Sequence, residues 1–123
     1  MSTFDHEAFW SARYRDVGDE YLFGTAPNRF LASQAGLFGP GMAVLSVADG
    51  EGRNAVWLAE QGCEVRATEI SQVAQEKCAK LARARLVAVN LVQADILRMK
   101  GAVKPGSLLP LQGYTPKQQD IAA

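Results

Sequence analysis

An open, mostly parallel α/β sheet with helices on its faces is the architecture this sequence predicts, on three observations. From Gly41 onward, short apolar runs alternate with stretches of helical periodicity. The first run, "MAVLSVA", is almost wholly apolar, as a strand buried on both faces of a parallel sheet must be. Glycines mark the passages between runs: Gly50 and Gly52 after the first strand, Gly62 after the first helix of the sheet region.

The elements follow in order. "FDHEAFWSARYRD" predicts a short amphipathic helix, and "GTAPNRFLASQAGLF" a turn followed by another. Phe9, Trp10, Arg13 and Tyr14 recur at three- and four-residue spacing and share one helical face. That face packs on the core, or it forms a lid that brings Trp10 and Tyr14 over a ligand. After the first strand, "NAVWLAEQ" predicts a helix closed by Gly62, and "CEVRATEI" a second strand. Ser71 is placed to cap a long helix whose apolar positions are Ala74, Cys78, Leu81 and Ala82. "LVAVNLVQADI" predicts a third strand ending at Asp95. Strand, helix, strand, helix, strand implies parallel pairing with right-handed crossovers.

Length and charge narrow the function. At 123 residues the chain is expected to be a single domain, with 1–40 a helical cap and 41–123 the sheet core. Lys plus Arg and Asp plus Glu each total 13, and this balance argues against nucleic acid as a partner. "MSTFDHEAFW" carries no basic segment leading into an apolar run, and no stretch approaches a bilayer span, so a cytoplasmic location and no membrane partner are expected. Cys63 and Cys78 read as reduced core residues, and with His6 they do not make up a zinc site. Lys77, Lys80, Arg83 and Arg85 read as the solvated face of the long helix.

Ligands of such sheets lie beyond the carboxyl ends of the strands. Gly50 and Gly52 let backbone approach a ligand, and the helix starting near Asn54 presents its free N–H groups. Glu69 ends the second strand, where a carboxylate can accept from both hydroxyls of a ribose, and Asp95 ends the third, within reach of an adenine. A dinucleotide is the rival ligand, since Gly50, Gly52 and Ala55 satisfy the G-x-G-x-x-G/A pattern with Glu69 following. Asp49 and Glu51 place negative charge where a pyrophosphate would rest, which suits a cationic or neutral ligand better than a diphosphate, and S-adenosylmethionine is cationic.

The stretches "LSVADGEGRNAVWLAEQG", "VRATEIS", "VQADI" and "MKGAVKPGSLLPLQGYTPKQ" together resemble the class I S-adenosylmethionine-dependent methyltransferases. They are most similar to the small-molecule branch akin to the tellurite-resistance and thiopurine methyltransferases. "FWSARY" and "YLFGTAPNRFL" resemble that branch's cap. The resemblance implies a Rossmann-like doubly wound sheet, S-adenosylmethionine as cofactor and a small-molecule acceptor. Residue by residue, it implies that Ala48, Asp49 and Gly50 line the methionine moiety, that Glu69 holds the ribose and Ile70 flanks the adenine, and that Asp95 with Ile96 contacts the adenine amino group. Ser46 stands where the family often has an acid, and Ala48 where it often has its first glycine.

The family's fourth strand and last strand pair have no counterpart here, so an incomplete sheet is expected. The residues from Ile96 to Gly106 reach only about 24 Å. Joining the third strand to the slot beside the first needs about 22 Å before any bend. A homodimer completing the sheet is one expected outcome, and Pro110 within "SLLPLQGY" fits an edge position. A non-catalytic adenosyl-binding remnant, in which the turn survives but the substrate wall does not, is the alternative to an enzyme, and the missing fourth-strand segment is the feature that separates them. No residue qualifies as a general base, and His6, the sole histidine, is expected in solvent.

Overall fold

The structure is a computed structural model, and it describes residues 4–95. Helix α1 (His6–Asp16) starts at Asp5, whose carboxylate accepts from the Ala8 N–H at 2.9 Å. Helix α2 (Arg29–Ser33) is capped by Asn28, which takes the N–H groups of Phe30 and Leu31, and a 3₁₀ turn follows at Ala35–Leu37. Strand β1 (Ala43–Ser46), helix α3 (Arg53–Glu60), strand β2 (Glu64–Glu69), helix α4 (Gln72–Ala84) and strand β3 (Asn90–Gln93) complete the described chain.

The three strands form a parallel sheet in the order β1-β2-β3. Ala43 pairs with Glu64 and Arg66 with Asn90, so the carboxyl ends of all three strands emerge on one side. Val44, Val65 and Ala67 of the sheet are buried with Leu31, Phe38, Ala55, Leu58 and Cys63. Because Leu31 and Phe38 belong to this cluster, the segment before Gly41 packs into the same core as the sheet. Val56 of α3 meets Cys78, Leu81 and Ala82 of α4 in a second cluster. Both cysteines are buried and free, and burial pushes each thiol above its ordinary range.

Some sequence expectations need correction or fall outside this description. The third strand is shorter than "LVAVNLVQADI", because its first residues end α4 instead. Leu86 sits at φ +59, its N–H reaching Arg83 O, while the Val87 N–H reaches Ala82 O at 3.0 Å. That pair of bonds is the helix-ending motif that Gly62 makes after α3, where the Gly62 N–H reaches Ala59 O and the Cys63 N–H reaches Leu58 O. A leucine in the left-handed position gives no sequence signal for it, and the side chain is left 92% exposed. Lys77 does not lie on a solvated face either, since its side chain is only 13% exposed and its ammonium is fully engaged. Ile96, the helix expected at "LRMKGAVKP", the strand at "SLLPLQGY" and Pro110 all lie outside the described residues. No helix among those described is long and apolar enough to cross a membrane.

Candidate functional site

The first strand-to-helix turn is built by hydrogen bonds to the end of β2. Beyond Ser46, the Asp49 N–H donates to Thr68 O at 2.9 Å and the Gly50 N–H to Glu69 Oε1 at 2.8 Å. The other oxygen of that carboxylate accepts the Ser71 N–H at 2.9 Å, where α4 begins. The end of β3 joins in turn: the Ala94 N–H donates to Glu69 O at 3.1 Å, and the Gln93 side chain donates to Ile70 O at 2.9 Å. The three loop tips singled out by sequence therefore form one connected surface. Ala48 takes φ +49 here, so an alanine holds a left-handed backbone that glycine adopts more readily.

Over this surface lies a cavity of about 290 Å³. Ala48, Glu69, Ile70, Ala94 and Asp95 line it from the strand ends, and His6, Trp10, Tyr14 and Phe23 from the amino-terminal segment. A recess of about 160 Å³ adjoins it, sharing Tyr14, Phe23 and Ala48 and adding Asp49, Gly50, Glu51, Arg53 and Asn54. The structure thus brings Trp10, Tyr14, Ala48, Glu69, Ile70 and Asp95 to one cavity, and Asp49, Gly50 and Asn54 to its side chamber. Tyr14 is almost wholly buried, its ring 6.0 Å from that of Trp10, so this part of α1 already covers the glycine turn. Burial raises the Tyr14 phenol, and the carboxylates of Glu69, Glu51 and Asp49 raise it further.

Gly52 serves another purpose than the one expected. It lines neither chamber, and at φ +98 it is packed so closely on α4 that a Cβ would stand 2.8 Å from Cys78 Cβ. Its bareness lets the turn pack closely on α4. Asn54 is largely committed as well, its side-chain oxygen accepting the Asn28 N–H at 2.8 Å and so fixing the loop before α2. The amides at the start of α3 are not all open to a ligand, since the Ala55 N–H donates to Asp49 Oδ1 at 3.2 Å.

The charge placed in the turn also differs from expectation. Glu51 is nearly buried and paired with Lys77 at 2.9 Å, so it does not present a free negative charge to a ligand. Asp49 folds back to accept the Ser46 hydroxyl. Its second oxygen, Oδ2, has no hydrogen-bond partner among the described residues. Burial pushes the Asp49 carboxyl up to about 7, against the hydrogen bonds from Ser46 and Ala55 that favour its ionised form.

This has a measurable consequence. Between about pH 4 and pH 7 the folded chain holds a proton that the unfolded chain has released. The stabilisation is complete below the ordinary carboxylate range and is lost as pH rises through about 7. Urea unfolding should therefore show higher stability at about pH 5 than at about pH 8, with Asp49 contributing on the order of 3 kcal/mol at most to that difference. Asp49→Asn should flatten this difference; an unchanged difference in the variant would refute the assignment.

Three wall residues go beyond the sequence expectations. His6, expected in solvent, is half-buried and lines the cavity, its ring edge-on to Phe4 at 4.7 Å. Phe23 is 58% exposed at the junction of the two chambers, and Ala94 continues the wall from β3. The periodicity of α1 puts His6 one turn before Trp10, which is the available signal; Phe23 lies in an aperiodic loop and gives none.

No protein-family model matches the sequence, and no curated protein sequence matches it significantly. Solved structures do match. One, solved for the conversion of a disulfide bond into a thioacetal group during echinomycin biosynthesis, is 26% identical with a TM-score of 0.65, over 76% of this chain and 41% of that one. TehB from Haemophilus influenzae is 19% identical with a TM-score of 0.56, over 76% of this chain and 30% of its own. A SAM-dependent methyltransferase from Thiobacillus denitrificans, in complex with S-adenosyl-L-homocysteine, is 18% identical with a TM-score of 0.54, over 76% and 38%.

The chain has the fold of the S-adenosylmethionine-dependent methyltransferases. Its match spans less than half the length of each of these three structures, and its described sheet has three strands. In this methyltransferase fold, the cavity stands at the carboxyl ends of the parallel strands, where ligands of open α/β sheets are held.

Proposed function

We propose that the chain binds S-adenosylmethionine in this cavity and transfers its methyl group to a small-molecule acceptor. The observation that carries the proposal is the meeting of Gly50, Glu69 and Asp95: the first two are hydrogen-bonded at 2.8 Å, and the last two line one cavity. The residues present fit the cofactor. Glu69 offers a nearly buried carboxylate with lone pairs left over for two hydroxyls, and Ile70 and Ala94 offer apolar surface beside it. A cavity of about 290 Å³ with a side chamber lies at the lower end of the roughly 300–1,000 Å³ of small-molecule pockets.

In this reading Glu69 holds the ribose, Ile70 and Asp95 flank the adenine, and Ala48, Asp49 and Gly50 line the methionine end. When bound, the cofactor supplies a methyl group already activated on a sulfonium. Trp10 and Tyr14 exclude water from above, and an aromatic face there favours a cation by about 0.5–2 kcal/mol. Alignment of the acceptor is the main contribution left to the protein, on the order of 7–11 kcal/mol where it is good.

A dinucleotide finds less support. Carboxylates already take the Gly50 and Ala55 N–H groups that a pyrophosphate would need, and Gly52 faces α4. Among the described residues β1 pairs on one side only, and a second copy along that edge belongs to the same proposal.

Calorimetric titration with S-adenosylmethionine, S-adenosylhomocysteine and NAD tests the reading, followed by a methyl-transfer assay on thiol and metalloid acceptors. Binding of both adenosyl ligands with turnover is expected. Binding without turnover would reduce the chain to a non-catalytic adenosyl-binding module, and binding of NAD alone would overturn both. Light scattering on the same preparation reads the dimer.

A further inference from the structure

Lys77 is the one cation of α4 whose ammonium is turned into the molecule, and all three of its protons have acceptors. They go to Tyr14 O at 2.7 Å, Glu20 O at 2.7 Å and Glu51 Oε2 at 2.9 Å. The acceptors come from three different pieces of structure. Tyr14 O belongs to the last turn of α1, where helical carbonyls lack partners of their own. Glu20 O belongs to the loop that follows, and Glu51 to the glycine turn. The other oxygen of Glu51 takes the Leu22 N–H at 2.8 Å, and the Tyr21 hydroxyl donates to Lys77 O at 3.0 Å. A single residue of α4 thus ties the amino-terminal wall of the cavity to its floor.

The attachment of α1 has two ends with different chemistry. Its first half is held at the start of α4, where the Ser11 and Ser71 hydroxyls meet at 2.7 Å and the Glu7 carboxylate accepts from Ser11 and from the Gln72 N–H. Its second half and the loop to Phe23 are held through Lys77 and Glu51. Tyr14 and Phe23, both shared by the cavity and its recess, sit at this second end. The Tyr14 hydroxyl stands directly over Gly50, only 3.2 Å from where a Cβ on that glycine would be. The depth of the recess therefore depends on where the Lys77 ammonium holds the chain.

We propose that Lys77 is a positioning residue for the ligand: by clamping residues 14–22 to Glu51, it shapes the recess around Gly50 that receives the amino-acid end of an adenosyl ligand. This rests on the binding reading above. It makes a selective demand, because in that reading the adenosine part lies against Glu69, Ile70 and Asp95, and the three hydrogen bonds of the Lys77 ammonium go to other residues. Loss of the clamp should weaken ligands that carry the amino-acid end and spare those that lack it.

The experiment compares wild type with the double variant Lys77→Met/Glu51→Gln. The amide oxygen introduced in place of the Glu51 carboxylate still accepts the Leu22 N–H, and no buried charge is orphaned. Lys80→Met, an exposed change on the same helix, is the control. Two probes are titrated: S-adenosylhomocysteine, and 5′-methylthioadenosine, which lacks the amino-acid end. Affinity for the first should fall at least tenfold in the double variant, affinity for the second no more than threefold, and Lys80→Met should change neither. Amide hydrogen exchange without ligand should rise at least tenfold in residues 14–22 while β2 and α3 keep their protection.

Equal loss for both probes, no loss for either, or exchange that rises across the whole molecule would overturn the proposal. Wild type binding neither probe would instead overturn the binding reading, with the exchange result still deciding whether Lys77 clamps the wall. Should the double variant fail to fold, Lys77→Arg keeps the charge but its planar guanidinium cannot meet three converging acceptors, and the same selective loss is expected.

Discussion

Gly52→Ala is expected to remove a large share of the stability of this fold, and urea or thermal unfolding of the variant will show it. A Cβ at this position would lie 2.8 Å from Cys78 Cβ, closer than real Cβ atoms come, and 3.0 Å from Cys78 Cα, tighter than nearly all real Cβ contacts. A different Cys78 rotamer gives no relief, because the obstruction includes the backbone of α4. The left-handed backbone at φ +98 adds about 1–2 kcal/mol of strain for any L side chain. Forcing α3 and α4 apart adds about 1–3 kcal/mol or more. Against the roughly 5–15 kcal/mol that holds a domain of ordinary size, a loss of about 2–5 kcal/mol is a large share of the total. Cys78→Ala should not rescue the variant, since Cβ and Cα remain, whereas Gly50→Ala should be the milder change because it meets only the Tyr14 side chain, its hydroxyl at 3.2 Å. If Gly52→Ala unfolds at the wild-type urea concentration, the close packing of the turn on α4 is wrong.

The contrast between these two glycines shows what is legible in the sequence. Sequence marks both as positions where a side chain is unwelcome, but it does not say what stands opposite. Gly50 faces Tyr14, distant in the chain and over the ligand cavity, while Gly52 faces Cys78 in the core. Local signals read well: Ser71 caps α4 through its hydroxyl on the Ala74 N–H, and Gly62 closes α3 in the left-handed conformation. The strand-end position of Glu69 is legible in the strand pattern, whereas β3 stops at Gln93 and Asp95, expected at its end, lies two residues beyond it. What cannot be read depends on tertiary placement. Lys77 looks like its neighbours Lys80 and Arg83 until the amino-terminal segment supplies two carbonyls for its ammonium. Leu86 ends α4 in a position that glycine usually fills, so the sequence pattern starts the third strand too early. Glu51 and Asp49 look like exposed charges of one kind, yet one is paired with Lys77 and burial pushes the other toward neutrality.

Glu69→Gln separates the structural and functional duties of the cavity's central carboxylate. In the wild type each oxygen accepts one backbone N–H, from Gly50 at 2.8 Å and from Ser71 at 2.9 Å, with the residue only 6% exposed. Glutamine has one oxygen and one amide, so one of the two backbone donors must face another donor. An unsatisfied buried donor costs about 1–3 kcal/mol, and hydrogen bonds to charged groups are stronger than those that replace them. Stability should therefore fall by about 2–4 kcal/mol in urea unfolding. Affinity for S-adenosylhomocysteine should fall further, on the order of a hundredfold, because two ribose hydroxyls lose a charged acceptor at about 1.5–3 kcal/mol each. Glu69→Asp keeps the charge but not the reach, so it should restore part of the affinity without spanning both backbone amides. A variant that loses stability yet binds S-adenosylhomocysteine within threefold of wild type would leave Glu69 as a brace between the glycine turn and α4. The ribose would then have to be held elsewhere.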